Sequence, residues 1–237
     1  MANFVLIHAA WHGGWEWQRV AGRLRARGHA VYTPTMTGLG DRAHLLSRDI
    51  GLETHVLDYV NTIRWEELAD VVLCGHSYGG TVATAVADRV PERIRAVVFT
   101  DAFVAGNGQS TMDMTPAWRA DEIRELAQTQ GEGWYVPAHH SERWVADPAD
   151  RAWLEGLVSP HPYRSFVEPV NLSGGFERVA TKVYVLSSAF KPSPFWQFYD
   201  KFVHDTAWQV HQLPTLHDAM ISMPDEVAAI LEQAARP

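Results

Sequence analysis

Along most of the chain, short apolar runs alternate with stretches whose apolar positions recur at helical spacing. A run such as residues 4–7, with no polar position, predicts a strand that is covered on both faces. Further strands are predicted at residues 30–34, 71–74, 94–100, 182–188 and 207–213. Helices are predicted at residues 15–27, 52–64, 81–89 and 194–203, and at the C-terminal end, where Val227, Ile230, Leu231 and Ala234 share one face. Strands that alternate with helices predict a parallel sheet with helices on both faces.

The alternation of strands and helices stops after Phe103 and returns at residue 181. The segment between these points contains Gly, Pro and Ser among several helical pieces. It also carries four of the ten tryptophans, Trp118, Trp134, Trp144 and Trp153. We therefore predict one α/β core, formed by residues 1–103 and 181–237, with residues 104–180 inserted as a helical cap.

The sequence GHSYGG, at residues 75–80, lies between a predicted strand and a predicted helix. Ser77 stands between Gly75 and Gly79, and G-x-S-x-G in this context is typical of a nucleophilic serine on a sharp turn. Small flanking residues let the strand and the helix approach, and the turn directs the Tyr78 N–H and the helix start to one point. The alternative is a glycine-rich turn that contains a serine by chance.

A serine nucleophile needs a base, because its free hydroxyl is a poor nucleophile at neutral pH. The chain has 12 histidines, and in folds of this kind the base comes last in the chain. His217 is the best placed, since it lies in a loop between the last predicted strand and the last helix. His211 falls within that strand and His204 near the end of a helix. The alternative interpretation of His217 is an ordinary surface-loop histidine.

The sequence LIHAAWHGGW, at residues 6–15, follows the first predicted strand. Hydrolases with this strand–helix pattern place a second oxyanion-binding N–H there. We therefore expect the backbone N–H groups of Ala10 and Tyr78 to hold a developing oxyanion. His8 and His12 are interpreted as packing or hydrogen-bonding residues, because no third ligand has the spacing of a metal site.

Composition narrows the class of protein further. The formal charge is −8, from 20 basic and 28 acidic residues, which argues against nucleic acid or an anionic membrane as a partner. Apolar residues make up 46% of the chain, enough for a substantial core. The single cysteine, Cys74, excludes an internal disulfide and fits a reducing compartment. We expect a soluble, cytoplasmic protein without a signal peptide or a membrane helix.

Two other patterns could carry chemistry, and both have a plainer interpretation. Cys74 could be a nucleophile, but its place on an apolar strand predicts a buried structural thiol. The sequence GLGDRA, at residues 38–43, resembles the start of a dinucleotide-binding fingerprint. The third glycine is absent, and the acidic residue about 20 positions further on, Asp58, lies in a helix pattern.

Three motifs together resemble the α/β-hydrolase superfamily: FVLIHAAWHGGWEW at residues 4–17, GHSYGG at 75–80 and LHDAM at 216–220. They are most similar to the branch that holds plant methylesterases, hydroxynitrile lyases and small bacterial esterases. The segments 34–45 and 100–110 resemble the bacterial members. The resemblance implies an α/β-hydrolase fold with Ser77 as nucleophile, His217 as base, and Ala10 and Tyr78 as oxyanion donors.

The catalytic acid departs from the pattern that this resemblance implies. The family places its acid just after the strand that corresponds to residues 182–187, but residues 187–199 contain no Asp or Glu. Asp200 falls in a helical pattern that predicts exposure to solvent. Asp101, at the end of the preceding strand, is the alternative acid, because neighbouring parallel strands end at the same sheet edge. The remaining alternative is a Ser–His dyad with water or a serine behind His217.

The resemblance also distinguishes lyase from esterase. Hydroxynitrile lyases of this branch carry a threonine near the first-strand loop and a lysine directly after the catalytic histidine. The matching positions here are Ala9 and Asp218, and a carboxylate would repel a departing cyanide anion. The sequence therefore favours hydrolysis.

We predict a carboxylesterase-type serine hydrolase that forms an acyl-enzyme and needs no cofactor and no metal. Its expected partner is a small, uncharged, hydrophobic or aromatic ester, and the chain could form a homodimer. Residues expected to bind this ester are Trp11, His76, Trp134 and Trp153. Alternatives are a lactonase or other acyl hydrolase, a lyase, and a small-molecule receptor that keeps an unused triad.

Overall fold

A computed structural model of the protein describes residues 1–139 and 141–236. Its strands are β1 (Asn3–Ile7), β2 (Ala30–Tyr32), β3 (Val71–Ser77), β4 (Ile94–Ala102), β5 (Tyr135–Val136), β6 (His161–Pro162), β7 (Thr181–Ser187) and β8 (Trp208–Leu213). Its α-helices are α1 (Gln18–Ala26), α2 (Leu52–Trp65), α3 (Tyr78–Arg89), α4 (Thr111–Met114), α5 (Ala117–Gln130), α6 (Pro148–Glu155), α7 (Tyr163–Val167), α8 (Trp196–Phe202), α9 (Ala219–Ser222) and α10 (Pro224–Ala234). Short 3-10 helices lie at Gly14–Trp17, Gly40–Leu45, Pro91–Arg93, Ser141–Arg143 and Phe176–Arg178.

Six strands form the central sheet in the order β2-β1-β3-β4-β7-β8, and every neighbouring pair is parallel. The central strands are buried on both faces, which is why they appear in the sequence as continuous apolar runs. Helices cover the sheet on both faces. This architecture is the parallel sheet with helices on both faces that the alternation of strands and helices predicts, and it is the α/β-hydrolase fold that the resemblance implies.

Strands that follow β1 in the chain are added to the sheet first on one side of β1 and then on the other. The chain leaves β1 toward β2 on one side and later returns to place β3 on the other side. The loops after β1 and β3 therefore separate at the carboxyl edge of the sheet and leave a crevice, the usual position of a ligand site in open α/β sheets. The first loop contains Ala10, and the second connection contains Ser77.

The segment between β4 and β7 lies outside the central sheet. It holds helices α4 to α7 and a small antiparallel sheet of β5 and β6. The prediction of helical pieces is thus incomplete, because this two-stranded sheet connects the end of α5 to the start of α7. The capping box of α4 shows how locally these pieces are fixed: Ser110 accepts a hydrogen bond from the Asp113 N–H, and Asp113 accepts one from the Ser110 N–H.

One of the larger differences from the predicted boundaries lies at the third strand. β3 continues to Ser77, three residues beyond the predicted end, because Gly75, His76 and Ser77 still pair with β4. Helix α3 begins at the next residue. Among the described residues, no helix combines the length and the hydrophobicity that crossing a membrane requires.

Candidate active site

Ser77 lies where β3 passes directly into α3. Its backbone has φ 54° and ψ −121°, a left-handed conformation that is rare outside glycine and that aims the side chain away from both elements. The flanking glycines are required by close backbone approaches. A Cβ on Gly75 would lie 2.5 Å from the Gly79 carbonyl oxygen, and one on Gly79 would lie 2.6 Å from the His8 carbonyl oxygen. The turn predicted from the sequence is therefore present, with the geometry that a serine nucleophile needs.

Asp101 stands at a bulge near the end of β4. In the pairing of β3 with β4, His76 pairs with Thr100 and Ser77 pairs with Ala102, so that Asp101 has no partner. Its φ of 44° is again left-handed, a region that Asp tolerates better than most residues. A bulge of this kind changes the direction in which a side chain points. Here the bulge directs the Asp101 side chain toward the buried edge of the sheet at which the strands end.

His217 lies in the loop between β8 and α9, as predicted, and it contacts Asp101. Its Nδ1 donates a hydrogen bond of 2.6 Å to Asp101 Oδ2, and the Ser187 N–H donates one of 3.1 Å to the other carboxyl oxygen. Burial lowers the pKa of His217 well below its usual range, and the neighbouring His76 and His12 act in the same direction. His217 is therefore a neutral imidazole at neutral pH, with its Nε2 lone pair free to accept a proton.

The loop after β7, where the resemblance implies an acid that this chain lacks, contributes aromatic rings instead. Phe190 and Phe195 both stack on the His217 imidazole, with ring centroids 4.7 Å and 5.0 Å away. Asp200, which follows in α8, is exposed to solvent. Asp101 is therefore the carboxylate that reaches His217, and two phenyl rings shield that pair from water.

The loop after β1 brings Ala10 to the same place as Ser77. Ala10, Tyr78, Ser77 and His217 all line one cavity at the carboxyl edge of the sheet. Tyr78 is the first residue of α3, so its N–H has no acceptor within the helix. The described residues show no hydrogen bond between Ser77 and His217, a contact that catalytic pairs often complete only with substrate bound.

Four ionisable side chains lie buried directly behind this loop, and we call them the buried charge network: Glu16, His76, Asp218 and His12. Glu16 accepts a hydrogen bond of 2.8 Å from the Ala9 N–H and another from Nδ1 of His76. The other ring nitrogen of His76 lies 3.9 Å from Asp218 Oδ1. The network thus connects the loop after β1 to the residue that follows the candidate base.

His12 completes the network, and its surroundings define its protonation state. Nε2 donates to Asp218 Oδ2 at 3.2 Å, and Nδ1 donates to the Ala10 carbonyl at 2.7 Å. Both partners are acceptors, so both ring nitrogens must carry a proton. Burial alone would lower the pKa of His12, but the carboxylates of Asp218 and Glu16 raise it to about 9. His12 is therefore a buried imidazolium that holds the Ala10 peptide in place.

The cavity above Ser77 is narrow and mostly aromatic. Its volume is about 70 Å³. The remaining lining residues come from the cap and from the loops after β1, β4 and β7, and they are Trp11, Phe103, Thr111, Thr115, Trp118, Arg119, Ile123, Arg143, Trp144, Phe166, Phe190, Pro194 and Phe195. The inserted segment therefore supplies a large part of this lining.

Comparison with known proteins assigns the chain to a family. Residues 4–230 match the model of the alpha/beta hydrolase family. The chain belongs to the alpha/beta hydrolase family. This confirms the fold and the hydrolase class that the sequence predicts.

Individual members of the alpha/beta hydrolase family match this chain over nearly its whole length. The carbendazim hydrolyzing esterase of Nocardioides sp. (strain SG-4G) is 42% identical over 96% of this chain and 97% of its own. Salicylic acid-binding protein 2 of Nicotiana tabacum is 32% identical over 97% of this chain and 92% of its own. An extracellular alpha/beta-hydrolase from a Paenibacillus species superposes with a TM-score of 0.88, at 26% identity and full coverage of both chains. The esterase among these relatives agrees with the predicted class of reaction.

Of the four residues expected to bind substrate, the hydrolase brings one to the cavity. Trp11 lines it, and its indole N–H is fixed by a 2.9 Å hydrogen bond to the Val136 carbonyl. His76 lies one layer deeper, in the buried charge network, with its ring 4.4 Å from that of His217. The expectation for His76 as a lining residue is therefore wrong, because both of its ring nitrogens point to carboxylates.

The expectations for Trp134 and Trp153 are also wrong. Trp153 packs edge-on against Trp15 at 5.2 Å on the outer side of the cap, and Arg19 lies over its ring. Trp134 packs against Tyr135 at 5.0 Å and lies under the Arg48 guanidinium. Both rings attach the cap to the rest of the molecule and lie away from the cavity.

Several cap residues that sequence reasoning did not select do line the cavity, among them Trp118, Trp144, Arg119 and Arg143. Trp144 was among the cap tryptophans seen in the sequence, but the short helices around it show no periodicity that distinguishes an inner from an outer face. The arginines carried no sequence signal at all, since charged residues in a cap usually face solvent.

A group of three residues in the site could hold a metal ion: His76, His217 and Asp218 have ligand atoms within 4.8 Å of one another. Nδ1 of His217 already bonds to Asp101, so the metal would need Nε2. The same atom must accept the proton of Ser77 if His217 is the base. Metal binding and base catalysis at this histidine therefore exclude each other.

Proposed function

We propose that the protein is a serine carboxylesterase that cleaves small aromatic or hydrophobic esters through an acyl-enzyme. One observation carries the proposal: Ser77, on its left-handed turn, opens into the same cavity as a neutral His217 whose other ring nitrogen is held by Asp101. The esterase name of the 42% identical relative supports the same reaction class.

The first half of the reaction forms the acyl-enzyme. Nε2 of His217 accepts the proton of Ser77 as the serine oxygen attacks the ester carbonyl. Asp101 keeps the proton on Nδ1 and stabilises the imidazolium that forms. The N–H groups of Ala10 and Tyr78 hold the oxyanion of the tetrahedral intermediate. His217 then returns the proton to the departing alcohol.

The second half of the reaction releases the acid. A water molecule loses a proton to His217 and attacks the acyl carbonyl, and the oxyanion again lies against Ala10 and Tyr78. Collapse of this second intermediate breaks the bond to Ser77, and His217 returns the proton to the serine oxygen. Every proton transfer uses a residue of this chain, so the proposed cycle includes no cofactor.

The buried charge network supports hydrolysis over the lyase alternative. Asp218 follows His217 directly and is buried, with one oxygen on His12 and the other facing His76. A hydroxynitrile lyase needs a positive group near this point to hold cyanide. The residue at this position is instead a carboxylate paired with His12, so it cannot supply that positive charge.

The test is steady-state hydrolysis of p-nitrophenyl acetate and butyrate, with carbendazim as a third substrate. Ser77→Ala should abolish multiple turnover while circular dichroism shows an intact fold. Cys74→Ala is the matched control for a thiol nucleophile. Cys74 is buried, and burial raises its pKa to about 12, so this variant should keep multiple turnover.

The outcomes separate the alternatives. Turnover that survives Ser77→Ala contradicts the proposal. A single burst from a folded wild-type protein, with no further turnover, favours the receptor alternative. A homodimer and a cytoplasmic location stay predictions, which size-exclusion chromatography and fractionation of the native host would check.

A further inference from the structure

Two arginines face the cavity that holds Ser77 and His217. Arg119, on α5, and Arg143, on the 3-10 helix Ser141–Arg143, are the only residues of the described lining with a full charge at neutral pH. The chain as a whole carries a net charge of −8. A cavity with two cations and no carboxylate in its lining is therefore a local feature that the overall composition does not explain.

Arg119 is held in place with part of its guanidinium left open. Its Nη1 donates to Glu122 and to His139, both at 2.5 Å, and the guanidinium lies 5.7 Å from the centre of the Trp11 ring. Nε and Nη2 have no hydrogen-bond partner among the residues that the structure describes. These two nitrogens form one edge of the guanidinium, which can hold a carboxylate through two parallel hydrogen bonds.

Arg143 is positioned by aromatic rings rather than by a counter-ion. Its guanidinium lies 4.9 Å from the centre of the Phe190 ring and 5.6 Å from that of Trp118, and Nη2 donates to the Pro192 carbonyl. Within residues 1–139 and 141–236, no carboxylate lies within ion-pair distance of it. Aromatic faces fix the cation without neutralising it, so its charge remains available to a ligand.

The two cations are close enough to affect each other and the candidate base. Burial lowers the pKa of Arg119 and Arg143 lowers it further, whereas the hydrogen bond to Glu122 and the charge of Glu122 raise it. Both arginines also contribute to the lowered pKa of His217. An anion in the cavity would relieve this repulsion between like charges, whereas a purely apolar ligand would leave it in place.

We propose that Arg119 and Arg143 form a carboxylate-binding subsite, so that the preferred substrates are esters that carry a second, free carboxylate. Monoesters of aromatic dicarboxylic acids have this chemistry, since an aromatic ring suits the indole and phenyl walls between the arginines and Ser77. The inference rests on the proposed esterase function, and it replaces the uncharged ester expected from the sequence.

The test compares two substrates of nearly equal shape. Monomethyl terephthalate carries the free carboxylate, and methyl 4-carbamoylbenzoate carries a neutral amide in its place. The value of kcat/KM for each ester is divided by its rate constant for hydroxide-catalysed hydrolysis, which removes the difference in intrinsic reactivity. We expect wild type to prefer the carboxylate ester by about 10- to 100-fold, the range for a charge-assisted hydrogen bond.

Substitution of each arginine tests whether the preference comes from the subsite. Arg119→Gln or Arg143→Gln should reduce the preference ratio to near one. Arg124→Gln is the matched control, because Arg124 lies on the same helix, is exposed and pairs with Asp121. This control should leave the ratio unchanged.

Three outcomes would overturn the inference. These are a wild-type ratio of one or below, a ratio that survives both substitutions, and failure to hydrolyse either methyl ester by a protein that hydrolyses p-nitrophenyl esters. If the ratio survives both substitutions, the arginines only stabilise the cap. Failure of the esterase proposal has a different signature, since p-nitrophenyl ester turnover would then be absent or independent of Ser77.

Discussion

Asp101→Asn isolates the contribution of the candidate acid with little disturbance of the backbone. Asn tolerates left-handed φ about as well as Asp, so the bulge at φ 44° should persist. In the native protein one carboxyl oxygen accepts from the Ser187 N–H and the other accepts from Nδ1 of His217. An amide has only one oxygen, so it can serve only one of these two donors.

The expected loss follows from that geometry. If the amide oxygen remains on the Ser187 N–H, the amide NH2 faces Nδ1 of His217, which must then accept a hydrogen bond. The ring proton moves to Nε2, and His217 loses the lone pair that takes the proton of Ser77. We expect kcat to fall about 10⁴-fold, a barrier increase of ~5 kcal/mol.

The assay is steady-state hydrolysis of p-nitrophenyl acetate at pH 7, with the fold checked by circular dichroism and thermal unfolding. Asp200→Asn is the control, since Asp200 is an exposed carboxylate in α8, beyond the loop after β7. This variant should match wild type. A kcat for folded Asp101→Asn within about 10-fold of wild type would refute the reasoning and favour a dyad with water or a serine behind His217.

Further expectations concern the network, the turn and pH. Glu16→Gln removes the carboxylate that holds the loop after β1, so kcat should fall about 10-fold with little change in KM, since one hydrogen bond to a charged group is lost. Gly79→Ala places a Cβ 2.6 Å from the His8 carbonyl oxygen and should lower the urea-unfolding free energy by ~1–3 kcal/mol. Because burial lowers the pKa of His217, the acid limb of kcat/KM should lie below pH 6.5, and a limb above 6.5 would contradict this. The pKa values of buried His8 and His55 fall to about 3 and about 4, below the unfolded value of 6.5, so the unfolded state binds more protons under acid conditions. Each of these histidines should therefore lower the free energy of unfolding by ~1.4 kcal/mol per pH unit as the pH falls from 6.5 toward the pKa of that histidine in the folded protein. Urea unfolding at pH 7 and at pH 5.5 measures this loss.

The sheet could be predicted because buried parallel strands leave a simple trace in the sequence. Each central strand is a continuous apolar run, and helices such as α2 and α10 show a 3.6-residue period. The turn at Ser77 was predictable because its motif is local. Gly75 leaves room for the Gly79 carbonyl within the same strand–turn–helix unit, whereas Gly79 leaves room for the His8 carbonyl of the loop after β1. The sequence predicted that Asp101 lies at the end of its strand, but it did not predict where the side chain points. The bulge that directs its side chain depends on the register between two strands, which no local pattern reveals.

The rest of the site depends on long-range contacts. His76 and Glu16 are 60 positions apart, and His12 and Asp218 are 206 apart, so their burial together follows from the fold and not from any spacing. The inward-facing residues of the cap were harder still to predict. Its helices α4 and α7 have four and five residues, too short to show which face is inward. Trp134 and Trp144 lie outside the α-helices, where no periodicity separates an inward from an outward side chain, so the sequence could not show which cap tryptophans line the cavity.

The small cavity has a consequence for the kinetics of substrate entry. Its volume of about 70 Å³ is well below the roughly 300–1,000 Å³ of typical ligand sites, so an aromatic ester needs the cap side chains to move first. Only the fraction of molecules with an open cap can bind, and the apparent affinity is reduced by that fraction. The hydrolysis rate of esters with small acyl groups will therefore depend on the chemistry at Ser77, whereas the rate for bulky esters will depend on how often the cap opens.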